Sequence, residues 1–333
     1  QQLISNQEPI FNERFFSTIQ LVFAGNDSQG LYYSTIGPDP KMFVAWKAHN
    51  SAPLTTGSLL DRPLAELCEK SRLLDLIRNF IIFDGGRKKV PRPHQFAAVK
   101  ATQDRIRQRE GGVIWHTQGS GKSLLMVFIA KWLLEHDPEA RILIITDRNE
   151  LDKQIEGVMR NAGIIGETSS SPRITSRKEF VQKLADTTPR LLCALIHKFD
   201  LDLKSPPPNV HGRFYVFVDE CHRTQGGNMN TQMKRWLPNA IFIGFTGTPL
   251  LRKDKETTRE VFGTYIHTYK FHEAVTDKVV LDLKYEARNV PQRLTSQKAI
   301  NEWFDQKTKG LNNFQRAVLR KRWATLEELM SSG

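Results

Sequence analysis

The sequence predicts an α/β fold: a mainly parallel sheet with helices on both faces. Three observations predict it. First, short apolar runs recur through the middle of the chain: Val113-Ile114-Trp115, Ile142-Leu143-Ile144-Ile145, Leu191-Leu192-Cys193-Ala194-Leu195-Ile196, Tyr215-Val216-Phe217-Val218 and Ala240-Ile241-Phe242-Ile243-Gly244-Phe245. Each is unbroken and largely β-branched or aromatic, which is how strands buried on both faces of a parallel sheet read. Second, the stretches between them are long enough for the crossover helices that parallel neighbours require. Third, Val113-Ile114-Trp115 runs into a glycine-rich loop and then into the apolar stretch Leu124–Ala130, a strand–loop–helix order.

The elements follow in chain order. Thr18–Phe23 reads as a strand, Gly25-Asn26-Asp27 as turn chemistry and Leu31–Thr35 as the returning strand. A hairpin this small cannot stand alone, so it belongs to a larger sheet. From Pro63 to Phe83 the pattern is helical, with Leu64, Leu67, Leu73, Leu74, Ile77 and Ile81 near helical spacing. Asp84–Pro93 holds two Gly, two Pro and four basic residues in ten, which suits neither a helix nor a central strand and marks a boundary. The sheet domain then runs from about residue 90 to 285. The tail from Glu286 is helical and basic, and Leu311, Phe314 and Val318 form a stripe that predicts a packed helix. The expected divisions are therefore 1–50, a helical linker over 51–89, the α/β domain over 90–285 and a helical segment over 286–333.

The net charge of +12 suits a polyanionic partner, although a solvated basic surface would give the same number. No apolar run reaches membrane-spanning length, and the first residues lack the pattern of a secretory signal. Cys68, Cys193 and Cys221 are odd in number and far apart. They predict a reducing, cytoplasmic setting rather than a disulfide framework or a zinc site. A first residue other than Met and the Ser331-Ser332-Gly333 end are read as those of a piece of a longer protein.

Three segments carry chemistry. His116-Thr117-Gln118-Gly119-Ser120-Gly121-Lys122-Ser123 sits between strand and helix, the context a phosphate loop requires. Its glycines, with Thr117 and Ser120, let backbone N–H groups turn toward phosphate oxygens, and the helix N-terminus adds partial positive charge. Lys122 can reach the β- and γ-phosphates of ATP, and Ser123 can place its hydroxyl on Mg²⁺. The usual first glycine is His116 here. Downstream, Asp219-Glu220-Cys221-His222 ends a buried strand, where ligands bind in open α/β sheets. Asp219 is expected to hold Mg²⁺ and Glu220 to polarise the attacking water. Thr246-Gly247-Thr248-Pro249 ends the next such strand.

In this order the segments resemble the first RecA-like lobe of superfamily-2 helicases and translocases. The resemblance implies that Gln95, in His94-Gln95, reads the adenine edge. It implies that Thr146 and Arg148 touch the nucleic-acid backbone, that Thr246 and Thr248 couple nucleotide state to nucleic-acid grip, and that His222 couples the acidic box to its neighbours. Longer stretches resemble the motor subunit of type I restriction enzymes more narrowly: Trp115–Leu124 with its His116, Thr146–Asp152, Asp219–Gly227, and Phe262–Tyr269 with Glu273-Ala274-Val275 and Tyr285-Glu286. Asn6–Asn12 through Phe43–Lys47 is similar to the end of that family's nuclease domain. What this implies is an ATP- and Mg²⁺-dependent translocase on double-stranded DNA, a hydrolase working beside methyltransferase and specificity subunits. It also implies that the Asp…Glu-x-Lys nuclease centre, which the first fifty residues lack, lies upstream, and that a second lobe with its arginine finger lies downstream. Another superfamily-2 DNA or RNA helicase, or a non-hydrolysing ATP-switched nucleic-acid-binding module, remains the alternative.

Overall fold

The computed structural model describes residues 2–37, 39–47, 58–146, 149–166, 171–195, 207–221, 233–248, 262–286 and 297–321. The chain divides into two compact units, Gln1–Leu281 and Asp282–Gly333.

The first unit opens with two one-turn helices, α1 (Gln2–Ser5) and α2 (Glu13–Phe16), followed by a three-stranded antiparallel sheet of β1 (Val22–Asn26), β2 (Gly30–Ser34) and β3 (Val44–Ala45). The expected hairpin is present, but its first strand starts later than Thr18. Residues 18 and 19 instead close the turn after α2, Thr18 N–H and Oγ1 both donating to Phe15 O and Ile19 N–H to Phe16 O. At the hairpin tip Asn26 Oδ1 accepts the backbone N–H groups of Ser28 and Gln29, a side chain standing in for a backbone turn. This sheet shares a core with the rest of the unit. Tyr33 is fully buried and donates to Pro91 O at 2.6 Å, and the Trp46 ring lies 5.7 Å from Phe96.

Helices α3 (Asp61–Leu67) and α4 (Lys70–Asn79) cover most of the segment expected to be helical, but the helix ends at Asn79 and Ile82-Phe83 join a strand instead. Glu69 caps α4 by accepting from Ser71 and Arg72 N–H groups. The Gly/Pro-rich boundary folds as a separate hairpin of β4 (Ile82–Asp84) and β5 (Arg87–Lys89), turned by Gly85 and Gly86 at φ 59° and 76°. Lys88 fixes it by donating to Ile19 O and Gln20 Oε1.

The main sheet has six strands: β6 (Gly112–His116), β7 (Ala140–Thr146), β8 (Leu191–Leu195), β9 (Arg213–Val218), β10 (Ile241–Thr246) and β11 (Tyr265–Tyr269). Their order is β11-β6-β10-β9-β7-β8 and every pairing is parallel. The five expected runs all form strands. Side chains alternate between two cores, as the pleat demands. Ile142, Ile144, Phe217, Ile243 and Phe245 face α5 (Pro93–Arg107), α6 (Lys122–His136) and α7 (Asn149–Asn161). Leu143, Ile145, Val216, Val218 and Phe242 face Phe180 and Leu184 of α8 (Arg177–Ala185) and Trp236. The sixth strand, β11, was not foreseen as one. Its Tyr-Ile-His-Thr-Tyr sequence interleaves polar residues because it lies at the sheet edge and is only partly buried. Arg141 near the start of β7 is buried and donates to the carbonyls of Lys183, Leu184, Asp186, Pro189 and His211.

In the second unit the described residues form a helix, Gln297–Lys307, and helical residues 313–321. Phe304 is buried and Arg316 pairs with Asp305 at 2.8 Å. The stripe predicted to pack is exposed instead, Phe314 at 77%. Among the described residues no helix is long and apolar enough to cross a membrane.

Candidate active site

Three sheet neighbours, β6, β10 and β9, end side by side. Thr246 is level with Trp115 and Gly244 with Val218, so the segments following these strands emerge at one edge of the sheet. Ligands bind at such edges because loops and helix N-termini converge there.

The loop after β6 is held from behind. Thr117 N–H continues the sheet pairing by donating to Tyr269 O at 2.9 Å. Ser120 Oγ donates to Thr117 O at 2.6 Å. Gly119 and Gly121 adopt φ of 81° and 89°, the left-handed region where a Cβ is penalised. Gly121 is the N-cap of α6, so the loop feeds directly into a helix whose first N–H groups have no intrahelical partner. Lys122 Nζ lies 3.4 Å from His116 O, folded over the loop.

Gly247 connects the third segment to this loop. A Cβ there would lie 2.8 Å from Lys122 Nζ and 3.3 Å from Gln118 N, so the two segments approach closely here. Thr246 is buried and its hydroxyl lies 3.4 Å from Thr248 O. The acidic segment is pinned between its neighbours: Asp219 N–H donates to Ile145 O at the end of β7, and Cys221 N–H to Phe245 O in β10. Between them Glu220 holds φ 45°, a strained setting for a non-glycine residue that the two flanking bonds impose. Asp219 is buried, as is Cys221, whose thiol is pushed up first by burial and then by Glu220 and Asp219. Cys221 packs against Gly244, where a Cβ would lie 2.8 Å from its Sγ.

Behind the loop sits an aromatic cluster that the motifs did not announce. The His94 ring lies flat on Tyr269, with centroids 3.9 Å apart and planes 6° from parallel. Its Nε2 is 3.0 Å from Ser120 O. His116 Nε2 is 2.9 Å from His267 Nδ1. Burial pushes His94 down to about 4, and burial with the neighbouring His267 pushes His116 well below its ordinary value. Both rings are therefore neutral near pH 7. Tyr269 donates to Asp277 Oδ2 at 2.8 Å. The signals available for this cluster were His94 beside Gln95 and His116 in place of a glycine; His267 and Tyr269 lay in the resembling stretch Phe262–Tyr269, which gave no site role to either.

The expected site residues thus fall as follows. Thr117, Gly119, Ser120, Gly121, Lys122 and Ser123 form one loop and helix start, with Gly247 against Lys122. Gln95 is buried: its Oε1 accepts from Arg92 N–H at 2.8 Å and its Nε2 donates to Gly121 O at 3.1 Å. In this state its amide braces the loop. Thr146 is fully buried at the end of β7, with its hydroxyl away from solvent. Arg148 and His222 lie outside the described residues.

Ser123, Asp219 and Glu220 are hard oxygen donors, the type Mg²⁺ takes. Among the described residues no group of three or more His, Cys, Asp or Glu could hold a metal alone.

A family description for SWI2/SNF2 ATPases matches residues 94–317. The chain is 31% identical over 288 residues to the type I restriction enzyme MjaIXP endonuclease subunit of Methanocaldococcus jannaschii, covering 81% of this chain and 27% of that one. It is 33% identical over 288 residues to the HindI endonuclease subunit of Haemophilus influenzae, covering 76% and 27%. The chain thus spans just over a quarter of the length of these relatives. Among solved structures, the SWI2/SNF2 ATPase core of Sulfolobus solfataricus in complex with dsDNA aligns with 56% of this chain and 38% of its own, at 15% identity and a TM-score of 0.42.

Proposed function

Since the chain belongs to the SWI2/SNF2 ATPase family, we propose that it is the ATP-binding motor lobe of a DNA-translocating subunit of a type I restriction enzyme. The observation that carries the reading is the convergence of three strand ends, with Gly247 packed against Lys122 and the Asp219-Glu220 pair pinned one strand away. The similarity to two restriction endonuclease subunits supports the narrower assignment. Partners by the same reading are double-stranded DNA and the methyltransferase and specificity subunits of the complex.

The residues divide the work. Backbone N–H groups of the loop and the N-terminus of α6 receive the phosphates. Lys122 leaves His116 O and neutralises charge that develops on the γ-phosphate. Ser123 and Asp219 would hold Mg²⁺, which would supply positive charge to the phosphate oxygens. Glu220 orients the attacking water. Gly247 touches both Lys122 and the loop, so movement of the loop or lysine is felt directly by Thr246 and Thr248. By the same resemblance Gln95 reads the base, and Thr146 and Arg148 meet the DNA backbone.

The test is ATP hydrolysis by the full-length protein with duplex DNA, single-stranded DNA or RNA added. The reading expects stimulation by duplex DNA that falls steeply with salt, because a sequence-indifferent motor grips phosphates. Stimulation by RNA alone would move the chain to an RNA helicase; hydrolysis indifferent to any nucleic acid would remove the motor assignment.

A further inference from the structure

We propose that His94 is a positioning residue for the phosphate loop, setting the direction in which the Gly121 N–H points. The inference rests on the reading of this loop as the nucleotide site.

The argument starts from the peptide bond. It is planar and trans, so the C=O of one residue and the N–H of the next point in opposite directions. Holding a carbonyl on one side therefore aims the following N–H at the other. In this loop two successive carbonyls are held by two successive residues of α5. His94 Nε2 donates to Ser120 O at 3.0 Å, and Gln95 Nε2 donates to Gly121 O at 3.1 Å. Gly121 O also receives Leu125 N–H, the first bond of α6. The N–H groups of Gly121 and Lys122 are thereby turned away from α5. Gly121 is free to flip at φ 89°, because nothing in its own chemistry fixes the peptide plane. The restraint has to come from outside the loop.

His94 can supply it because its ring cannot turn. It is 5% exposed, stacked face to face on Tyr269, with His116 edge-on at 5.5 Å. Tyr269 is itself fixed, its hydroxyl bonded to Asp277 and its carbonyl to Thr117 N–H. A carbonyl accepts only, so the His94 proton sits on Nε2. Burial keeps the ring neutral, so it donates a bond without placing a full positive charge behind the loop. α5 comes close to the loop here: a Cβ on Gly121 would lie 2.7 Å from Gln95 Nε2.

Steady-state ATP hydrolysis by the full-length protein separates this role from a merely structural one. His94→Phe keeps a ring on Tyr269 and deletes the donor, while His94→Gln restores a donor. Removing a phosphate contact made equally in ground and transition states raises KM more than it lowers kcat. The expected result is a rise in KM for ATP of about tenfold in His94→Phe, the scale for losing one well-aimed hydrogen bond to a charged phosphate, largely reversed in His94→Gln. Tyr269→Leu, which removes the ring beneath His94 and leaves the loop untouched, is expected to raise KM in the same direction and by less. This variant decides the matter if His94→Phe does not fold. Wild-type KM in both, or a loss of kcat at constant KM, overturns the proposal. Lys122→Ala with wild-type kinetics shows instead that the loop is not the nucleotide site, and the proposal falls with it.

Discussion

Arg141 and His94 are buried polar residues with opposite consequences. Arg141 gathers carbonyls from the end of α8, the segment after it and the approach to β9, so five acceptors depend on one guanidinium. Its charge also lies 4.7 Å over the Phe214 ring. Arg141→Leu is expected to cost about 3 kcal/mol in urea unfolding, since the carbonyls are left without donors in a buried place. An unchanged midpoint would mean that water takes over those bonds. His94 acts through pH. Its folded value, about 4, lies below the ordinary 6.5, so between these pH values the unfolded chain binds a proton that the folded chain refuses. The stabilisation is complete above about pH 6.5 and is lost as pH falls toward 4, about 3 kcal/mol in all. His116 adds in the same direction. The slope of stability against pH over that window is expected to flatten in His94→Phe. Equal slopes in wild type and variant would show that the ring is reached by water. At this scale the sequence was legible where a residue type has one use: a Lys after Gly-Ser-Gly between strand and helix, or two carboxylates closing a buried strand. It was not legible for His267 or Tyr269, because their partners lie 151 residues away (His116) and across the fold on α5 (His94).

The elements show the same division. Strands buried on both faces were readable because burial forces unbroken apolar runs, as in Ile142–Ile145 and Ile241–Phe245. β11 was missed because it is only partly buried and interleaves polar residues, and β4–β5 because a short hairpin outside the main sheet can be made of charged residues and glycine. The sheet edge also carries a sharp steric constraint. A Cβ on Gly112 would lie 2.6 Å from Thr264 O and 2.5 Å from the Ile266 side chain. Gly112→Ala is therefore expected to push β11 from β6 and to lower stability by about 1–3 kcal/mol, the range for overpacking. Because Tyr269 ends β11 and carries both His94 and Thr117 N–H, the same variant is expected to weaken ATP binding in proportion. A stability loss with unaltered ATP affinity would separate the strand from the site.

At the scale of the whole molecule, the parallel sheet brings the three sequence motifs to the carboxyl ends of β6, β10 and β9, while Arg141 sits near the amino end of β7. The motifs were legible in the sequence as segments closing buried apolar runs. The sequence could not foretell that the N-terminal sheet would share a core with α5 through Tyr33 and Trp46, since that packing is written only in isolated aromatic residues. The measurement that tests the account most directly is ATP hydrolysis by Glu220→Gln in the full-length protein with duplex DNA, with ATP binding followed in parallel. A site that orients water through Glu220 predicts near-normal ATP binding and a rate lower by about 10²–10³, the scale for losing one transition-state contact. Hydrolysis at the wild-type rate would contradict the assignment of these strand ends as the catalytic centre.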